Sequence, residues 1–389
     1  MKPTSKLHDT LITLLKQMSW IDYRHMNTFV WMIIGLLQSK KISLSEWVAP
    51  IDSRAKQAQS TERRFRRWLN NCRIIPAILY KPLIKRALKK WQEQKIYLAL
   101  DTSMLWNQIC IIRLVIIYRG RAIPLAWKTI AHKSSAVKFS VYKDVLEEAK
   151  ELLPENSEIF FLADRGFVDT KLMIFLSETL HWHWRIRFKN KINVFNQTKS
   201  GEFKLQSLRA FRGEARFYHN CFISKKYFGQ VHLAFARPKG VRDEWIIVSD
   251  EPTSLETFNE YGLRFDIEEN FLDDKSNGFQ LESSKLRCPE ALNRLFLILA
   301  VATLFLVVQG TEVVAKNKRK LVDPHWKRGL SYFKIGWRWI QKAIFKGLRL
   351  VQHLFLSSEP DPEPVQPSNS FQRISKTQLI VFDSYLNLL

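Results

Sequence analysis

Cysteine is scarce in this chain and never clustered. The four present (Cys72, Cys110, Cys221 and Cys288) stand far apart, with no C-x-x-C and no Cys/His grouping. That excludes a zinc ribbon and a disulfide framework, and suits reduced thiols in a cytoplasmic protein. Long hydrophobic runs are also lacking. The longest, residues 295–308, has fourteen residues, where about twenty are needed to cross a bilayer, so it reads as a fully buried helix and no membrane partner is expected. Residues 1–16 hold no continuous apolar segment, and a secretory signal is not expected. Acid is in short supply as well. Asp plus Glu number 37 against 61 Lys plus Arg, a formal charge of +24 over 389 residues. An excess of that size points to a polyanionic partner, nucleic acid first. What is abundant is core material: 46% apolar residues, with 13 Trp and 26 Phe, which excludes global disorder. The length suggests several structural units.

Residues 1–92 carry apolar side chains at three- and four-residue spacing, the mark of helices. Ser60 has the chemistry of an N-cap, with Glu62 in the turn that follows. In T-E-R-R-F-R-R-W-L, Phe65, Trp68 and Leu69 form an inner stripe and Arg63, Arg64, Arg66 and Arg67 project elsewhere. Two readings stand, a grip on DNA phosphates or a solvated basic helix. From residue 95 the pattern turns to strands. The run I-Y-L-A-L leads into Asp101, β-rich runs at 109–118 and 122–130 flank a hairpin signal at Gly120, and I-F-F-L-A leads into Asp164. Helices are expected over 141–153 and 171–180, and a strand over 183–188, where Arg185 and Arg187 alternate. These arginines suit either DNA backbone contact or an edge strand kept soluble. His181 and His183 lie two apart with no third metal ligand nearby in sequence. Two apolar strands thus each deliver an Asp at the end where open α/β sheets bind ligands.

Residues 190–250 read as a β-rich insertion, basic on one side through Lys225, Lys226, Arg237, Lys239 and Arg242. The stretch 261–275, Y-G-L-R-F-D-I-E-E-N-F-L-D-D-K, then reads as a helix. At 100° per residue Tyr261, Arg264, Glu268 and Lys275 fall within one arc of about 60°. Phe265, Phe271 and Leu272 share or border it, and Asp266, Glu269, Asn270 and Asp273 are expected toward water. Charges on an inward face are costly unless paired, metal-bound or used. The helix is therefore one wall of an active site, or a partly buried ion-pair ladder, since Arg264 and Glu268 are four apart. Further on, aromatic residues 332, 333, 337 and 339 interleave with Lys327, Arg328, Lys334, Arg338 and Lys342. That suits base stacking with backbone contact or an amphipathic helix. Residues 357–370 are Pro-rich and acidic, a linker composition. The tail from 378 is apolar enough to dock on the body or on a second copy.

Carboxylates converging from a sheet and a helix hold hard divalent cations. Phosphodiester cleavage and transfer is the chemistry that fits so basic a chain. The combination of Asp101 after a strand, Asp164 in A-D-R-G-F, and Y-x2-R-x3-E-x6-K at Tyr261, Arg264, Glu268 and Lys275 resembles the DDE transposases of bacterial insertion sequences, in the cut-and-paste group with that signature. The resemblance covers residues 97–275. It implies an α/β, RNase H-like mixed-sheet core interrupted by a β-rich insertion. It also implies catalysis and metal binding by Asp101, Asp164 and Glu268 with two Mg²⁺ ions, Mn²⁺ substituting, and DNA contacts by Tyr261, Arg264 and Lys275. In some members a Trp ahead of an S-x-E-P-like segment stacks on a flipped base; here W-I-I-V-S-D-E-P puts Trp245 there, with a core Trp as the competing role. One departure is R-G-F after Asp164, where well-studied relatives have R-E-A-D.

The expected organisation is a helical end-binding domain (1–92), the first part of the core (93–189), the insertion (190–250), the second part of the core (251–310), and a basic helical C-terminal region with linker and dimerisation tail (311–389). The expected partners are double-stranded DNA, as element ends and target, and a second copy in the synaptic complex, in the bacterial cytoplasm with the nucleoid. The functional alternatives are a non-catalytic DNA-binding derivative and a general nuclease.

Overall fold

The computed structural model describes residues 3–53, 55–188, 192–199, 201–224, 226–239, 244–275, 278–364 and 379–385. Lys225 and Arg242, expected on the basic side of the insertion, lie outside them. Four helices open the chain: α1 (Pro3–Leu15), α2 (Tyr23–Ser39), α3 (Ala58–Leu69) and α4 (Pro76–Ala87). Asp22 caps α2 by accepting the Arg24 backbone N–H at 2.8 Å. Helix α3 begins before Ser60, with Gln57 in the cap position. Ser60 is thus not the cap, because the helix start is tied to the preceding loop by the Ser53–Thr61 hydroxyl pair at 2.7 Å.

Next come β1 (Lys95–Leu105), β2 (Ile109–Tyr118), β3 (Arg121–Ala131), α5 (Phe139–Leu152), β4 (Glu158–Ala163), α6 (Thr170–Ile174) and β5 (His183–Arg187). This is the strand and helix order read from periodicity. Helix α6 widens to π-helical turns over Phe175–Leu180 before β5. Strand β1 does not stop at Asp101. It continues to Leu105 because β2 pairs with it antiparallel as far as Leu105↔Ile109, while its parallel partner β4 ends at Ala163. In β2 every residue but Ile117 is buried, as expected of a strand covered on both faces. Arg113 is the only charge in it.

The insertion contributes β6 (Asn193–Phe195), β7 (Glu202–Lys204), β8 (Glu214–Ile223), β9 (Phe228–Ala236) and β10 (Trp245–Ser249). These strands extend the core sheet. The order is β3-β2-β1-β4-β5-β10-β9-β8-β6-β7, eleven strands with the last, β11 (Ile380–Tyr385), on β8. Strand β6 covers one half of the free edge of β8 and β11 the other half, in parallel. The described part of the tail therefore docks on its own body.

After α7 (Leu255–Gly262) and α8 (Asp266–Asp274) comes the long α9 (Pro289–Ala315), followed by α10 (Tyr332–Lys346). Helix α9 is long and apolar enough to cross a membrane, yet 89% of its most apolar window is buried inside the protein. It is the central core helix, as the fourteen-residue run suggested. Tyr332, Phe333, Trp337 and Trp339 of α10 are buried too, so the interleaved aromatics belong to an amphipathic helix and are not offered to bases. Residues 357–364, the start of the Pro-rich stretch, are anchored rather than free. Arg119 donates to the Glu359 carbonyl at 2.7 Å, and Asp361 pairs with Arg328 at 3.0 Å.

Helices α9 and α10 cross with backbones in contact. A Cβ on Gly310 would lie 1.9 Å from the Tyr332 carbonyl oxygen, and one on Gly336 would lie 1.8 Å from that of Leu306. Neither obstacle is a side chain that can swing away, so the helices must separate. Gly310→Ala is expected to lower unfolding free energy by about 2–3 kcal/mol, read by urea denaturation; wild-type stability would show that the crossing tolerates a methyl group.

Candidate active site

Three strands bring the site together through their register. On parallel β1 and β4, Tyr97 lies beside Phe160 and Leu100 beside Ala163, so the next residues, Asp101 and Asp164, are neighbours. On β4 and β5, Ala163 lies beside Ile186, and the same step sets Arg187 next to Asp164. Asp101, Asp164 and Arg187 thus form one row on one face of the sheet. Asp101 accepts the Thr102 N–H at 2.7 Å, and Asp164 accepts the Gly166 N–H at 2.7 Å as cap of a 3-10 turn. A Cβ at Gly166 would sit 2.9 Å from the Asp164 carboxylate. The R-G-F departure thus leaves room beside that acid.

The stretch 261–275 is not one uniform helix. Helix α7, capped by Ser254 in a capping box with Thr257, ends at Gly262; a 3-10 turn spans Leu263–Phe265, and α8 follows. Three residues near 120° instead of 100° turn α8 by about 60° from the arc read off the sequence. The result corrects that reading. Asn270 and Asp273, expected toward water, are buried, and Phe265 and Leu272, expected inward, are exposed. The physical reason lies on the sheet, where two arginines wait under the helix. Arg113 of β2 pairs with Asp274 at 2.6 Å and donates to Asn270 at 2.6 Å. Arg121 of β3 holds Glu269 at 2.6 Å and Asp273 at 3.8 Å.

Arg264 faces inward as expected. It lies 3.6 Å from Asp101 and 2.7 Å from Glu268, whose side chain remains 51% exposed. Arg264 therefore joins the sheet acid to the helix acid, and Asp164 adds its field to Asp101. Burial, above all, pushes the Asp101 carboxyl up to about 6; Arg264 and the Thr102 N–H oppose this, while Asp164 and Glu268 reinforce it. Such a set repels itself and attracts cations. The donors are carboxylate oxygens, which suit hard divalent cations, but the three do not all lie within 4.8 Å of one another in this conformation. Arg264 now supplies the positive charge between Asp101 and Glu268.

A family model described as "Transposase DDE domain" matches residues 107–305, just over half of the chain. The chain belongs to the transposase DDE domain family. The match includes Asp164 and Glu268 and begins shortly after Asp101. Among solved structures, a piggyBac transposase in a synaptic complex with hairpin DNA is similar at TM-score 0.45 and 11% identity, covering 95% of this chain and 89% of that one. A Marinitoga piezophila Argonaute with guide RNA and target DNA follows at TM-score 0.20 and 14% identity, covering 64% and 37%. Both scores are too low to bear on function, and the assignment rests on the family match. No relative is found among the curated proteins.

The other residues singled out in this DDE transposase fall into three groups. Tyr261 is fully buried under the site, edge-on to Trp245 with ring centroids 5.5 Å apart. Trp245 itself is 5% exposed and packed with Phe217, Ile247 and Phe258 in a small cluster. In this conformation it fills the core role, and stacking on a base requires it to be uncovered. Lys275 donates to the Met104 carbonyl at 3.3 Å, and Arg187 to that of Glu244 at 3.0 Å, so each is tied to the frame near the acids. On α3, Arg63 and Arg67 are exposed, Arg66 pairs with Glu62 at 2.7 Å, and Arg64 is half-buried against Phe65.

Two networks escaped the sequence reading. Arg113 and Arg121 were missed, although one charge inside a ten-residue apolar strand was a usable signal. The second surrounds Arg185, which pairs with Glu251 at 2.7 Å, Glu260 at 3.2 Å and Asp250 at 3.6 Å, tying β5 to α7. His183 does have acids nearby, contrary to expectation. Asp250 is 2.9 Å away, and Glu158, His183 and Glu251 are the one group of three ligating side chains within 4.8 Å of one another among the described residues.

The buried acids of α8 make stability depend on pH. Burial pushes Asp273 up to about 6 against the pull of Arg121. A carboxyl raised in the folded state favours folding while protonated, so its contribution is full at low pH and is lost as pH rises through about 6. Asp273→Asn is expected to raise stability of the metal-free protein near pH 8 by at most about 3 kcal/mol and to flatten the loss that runs from about pH 4 to about pH 6. Denaturation curves at several pH values test this, and a less stable variant with an unchanged pH profile would contradict it.

Proposed function

We propose that this chain cuts DNA at the ends of a mobile element and joins the freed 3′-OH to target DNA, with Asp101, Asp164 and Glu268 as metal-binding catalytic residues. The observation that carries the reading is the row of Asp101 and Asp164 where the parallel pairing of β1 and β4 ends, with Glu268 linked to Asp101 through Arg264. Two Mg²⁺ ions, or Mn²⁺, would supply activation of the attacking oxygen and stabilisation of the leaving one when bound. Arg264 neutralises the acids until that charge arrives and then is free to hold a phosphate oxygen. Arg187 and Lys275 add positive charge near the acids. The arginines of α3 suit phosphate contacts at the element end. A pair of chains would hold the two ends together.

The test is cleavage of DNA carrying the element's own terminal inverted repeats, with and without Mg²⁺. Asp101→Ala and Glu268→Ala are each expected to lower cleavage on the order of 10³-fold while DNA binding persists. Full activity in either variant removes the mechanism. DNA binding without metal-dependent cleavage would instead favour a non-catalytic derivative, and equal cutting of DNA without ends a general nuclease.

Trp245→Ala separates the two roles of that residue. If it is uncovered to stack on a base, the variant folds and binds DNA but processes ends about 10-fold or more slowly. Loss of folded protein, seen by circular dichroism, would assign Trp245 to packing alone.

A further inference from the structure

Trp326 is the most exposed large hydrophobic side chain among the described residues, at 89%, and Leu321, five residues earlier, is 52% exposed. A tryptophan left in water forgoes one of the largest burial gains a side chain offers. Here the exposure is enforced by the backbone on either side. The Asp323 carboxylate, wholly buried, accepts the N–H groups of His325 at 3.1 Å and Gly329 at 3.1 Å and pairs with Arg319 at 3.2 Å. Arg319 in turn donates to the carbonyls of His325 at 3.0 Å and Trp326 at 3.0 Å and is braced by Glu363 at 2.7 Å. The loop is pinned before, at and after the indole.

Cations surround it. Lys320 Nζ lies 5.5 Å from the Trp326 ring, and Lys327 follows it, exposed. Lys342 donates to the Leu321 carbonyl at 2.7 Å and Arg338 to that of Val322 at 3.1 Å, which brings α10's basic face to the same turn. The nearby acids, Asp323 and Glu363, are both engaged by Arg319. The surface therefore offers an exposed planar ring on a pinned loop, with Lys320 beside it and further basic side chains on the neighbouring turn.

We infer that this loop is a DNA contact, in which Lys320, Lys327 and Arg338 take phosphates and the Trp326 indole stacks on a base or wedges at a base step. Charge complementarity selects the occupant: the partner must be polyanionic and must also present flat apolar faces, and nucleic acid does both. The inference rests on the reading of the chain as acting on DNA, and gives that activity a contact remote in sequence from the acids.

The experiment uses the full chain in EDTA, with a short fluorescein-labelled duplex of arbitrary sequence and the matching single strand, read by anisotropy across a salt series. Trp326→Ala is expected to weaken binding about 10-fold or more with the salt slope unchanged, because stacking releases no counterions. Trp326→Phe retains most of the affinity. Lys320→Gln with Lys327→Gln is expected to lower the slope by about 1–2. Preference for the single strand assigns stacking on unpaired bases; preference for the duplex assigns the wedge. Unchanged affinity in Trp326→Ala overturns the inference, as does unchanged DNA binding with altered self-association by light scattering, which would make the loop a contact between copies. Should the Ala variant melt early, Trp326→Gln is read by the same criteria. Because EDTA prevents metal-dependent cleavage, failure here leaves the cleavage reading standing, and failure of cleavage leaves this one standing.

Discussion

The seating of α8 on the sheet depends on a buried ion pair, Arg113 with Asp274. Both side chains are almost wholly withdrawn from water, and the guanidinium is sandwiched by the rings of Phe271 at 4.9 Å and Phe296 at 4.8 Å. Burial raises the Asp274 carboxyl above its usual range even with Arg113 beside it. Such a pair adds little net stability compared with an apolar core, but it is expensive to break. Its effect here is positional. With Asp274 and Asn270 held down on β2, and Glu269 and Asp273 on Arg121 of β3, only one rotation of α8 remains, and that rotation leaves Glu268 to pair with Arg264, which also reaches Asp101.

The acids of the site are held apart from this frame and connected to it through Arg264. That arginine reaches the sheet acid and the helix acid at once, so a chain without bound cation still compensates part of the repulsion among three carboxylates. A second arginine, Arg185, performs the corresponding task at the other end of the same face, where it and Tyr97 both hold Glu260 of α7. The helical run carrying Tyr261, Arg264 and Glu268 is thus tied at both ends to the strands carrying Asp101, Asp164 and Arg187. The acids are therefore set by elements anchored to the sheet, which is where a fold has least freedom.

The excess positive charge is distributed in a complementary way. Buried cations (Arg113, Arg185, Arg264) and the partly buried Arg121 serve structure and site, while exposed ones on α3 and around Trp326 face solvent. A polyanion approaching this molecule meets the second class first. Long-range attraction is sequence-blind, so the geometry around the acids and any stacking contacts must decide where on the DNA the chemistry occurs.

The sequence by itself determined the class of fold and the identity of the candidate acids. Apolar runs ending in Asp101 and Asp164, the helix between them, and the Y-x2-R-x3-E-x6-K spacing are local patterns, and local patterns survive without coordinates. The apolar run at 295–308 likewise declared a buried helix. Tertiary structure alone decided the rest. It ran β1 on past Asp101, because the strand's length was set by β2 and not by its own composition. It turned α8 by a 3-10 step and drew Asn270 and Asp273 inward, because the arginines they meet sit more than a hundred residues away on β2 and β3. It buried Trp245 and the aromatics of α10 and left Trp326 outside, since a tryptophan's periodicity shows that it has a face but not what covers it.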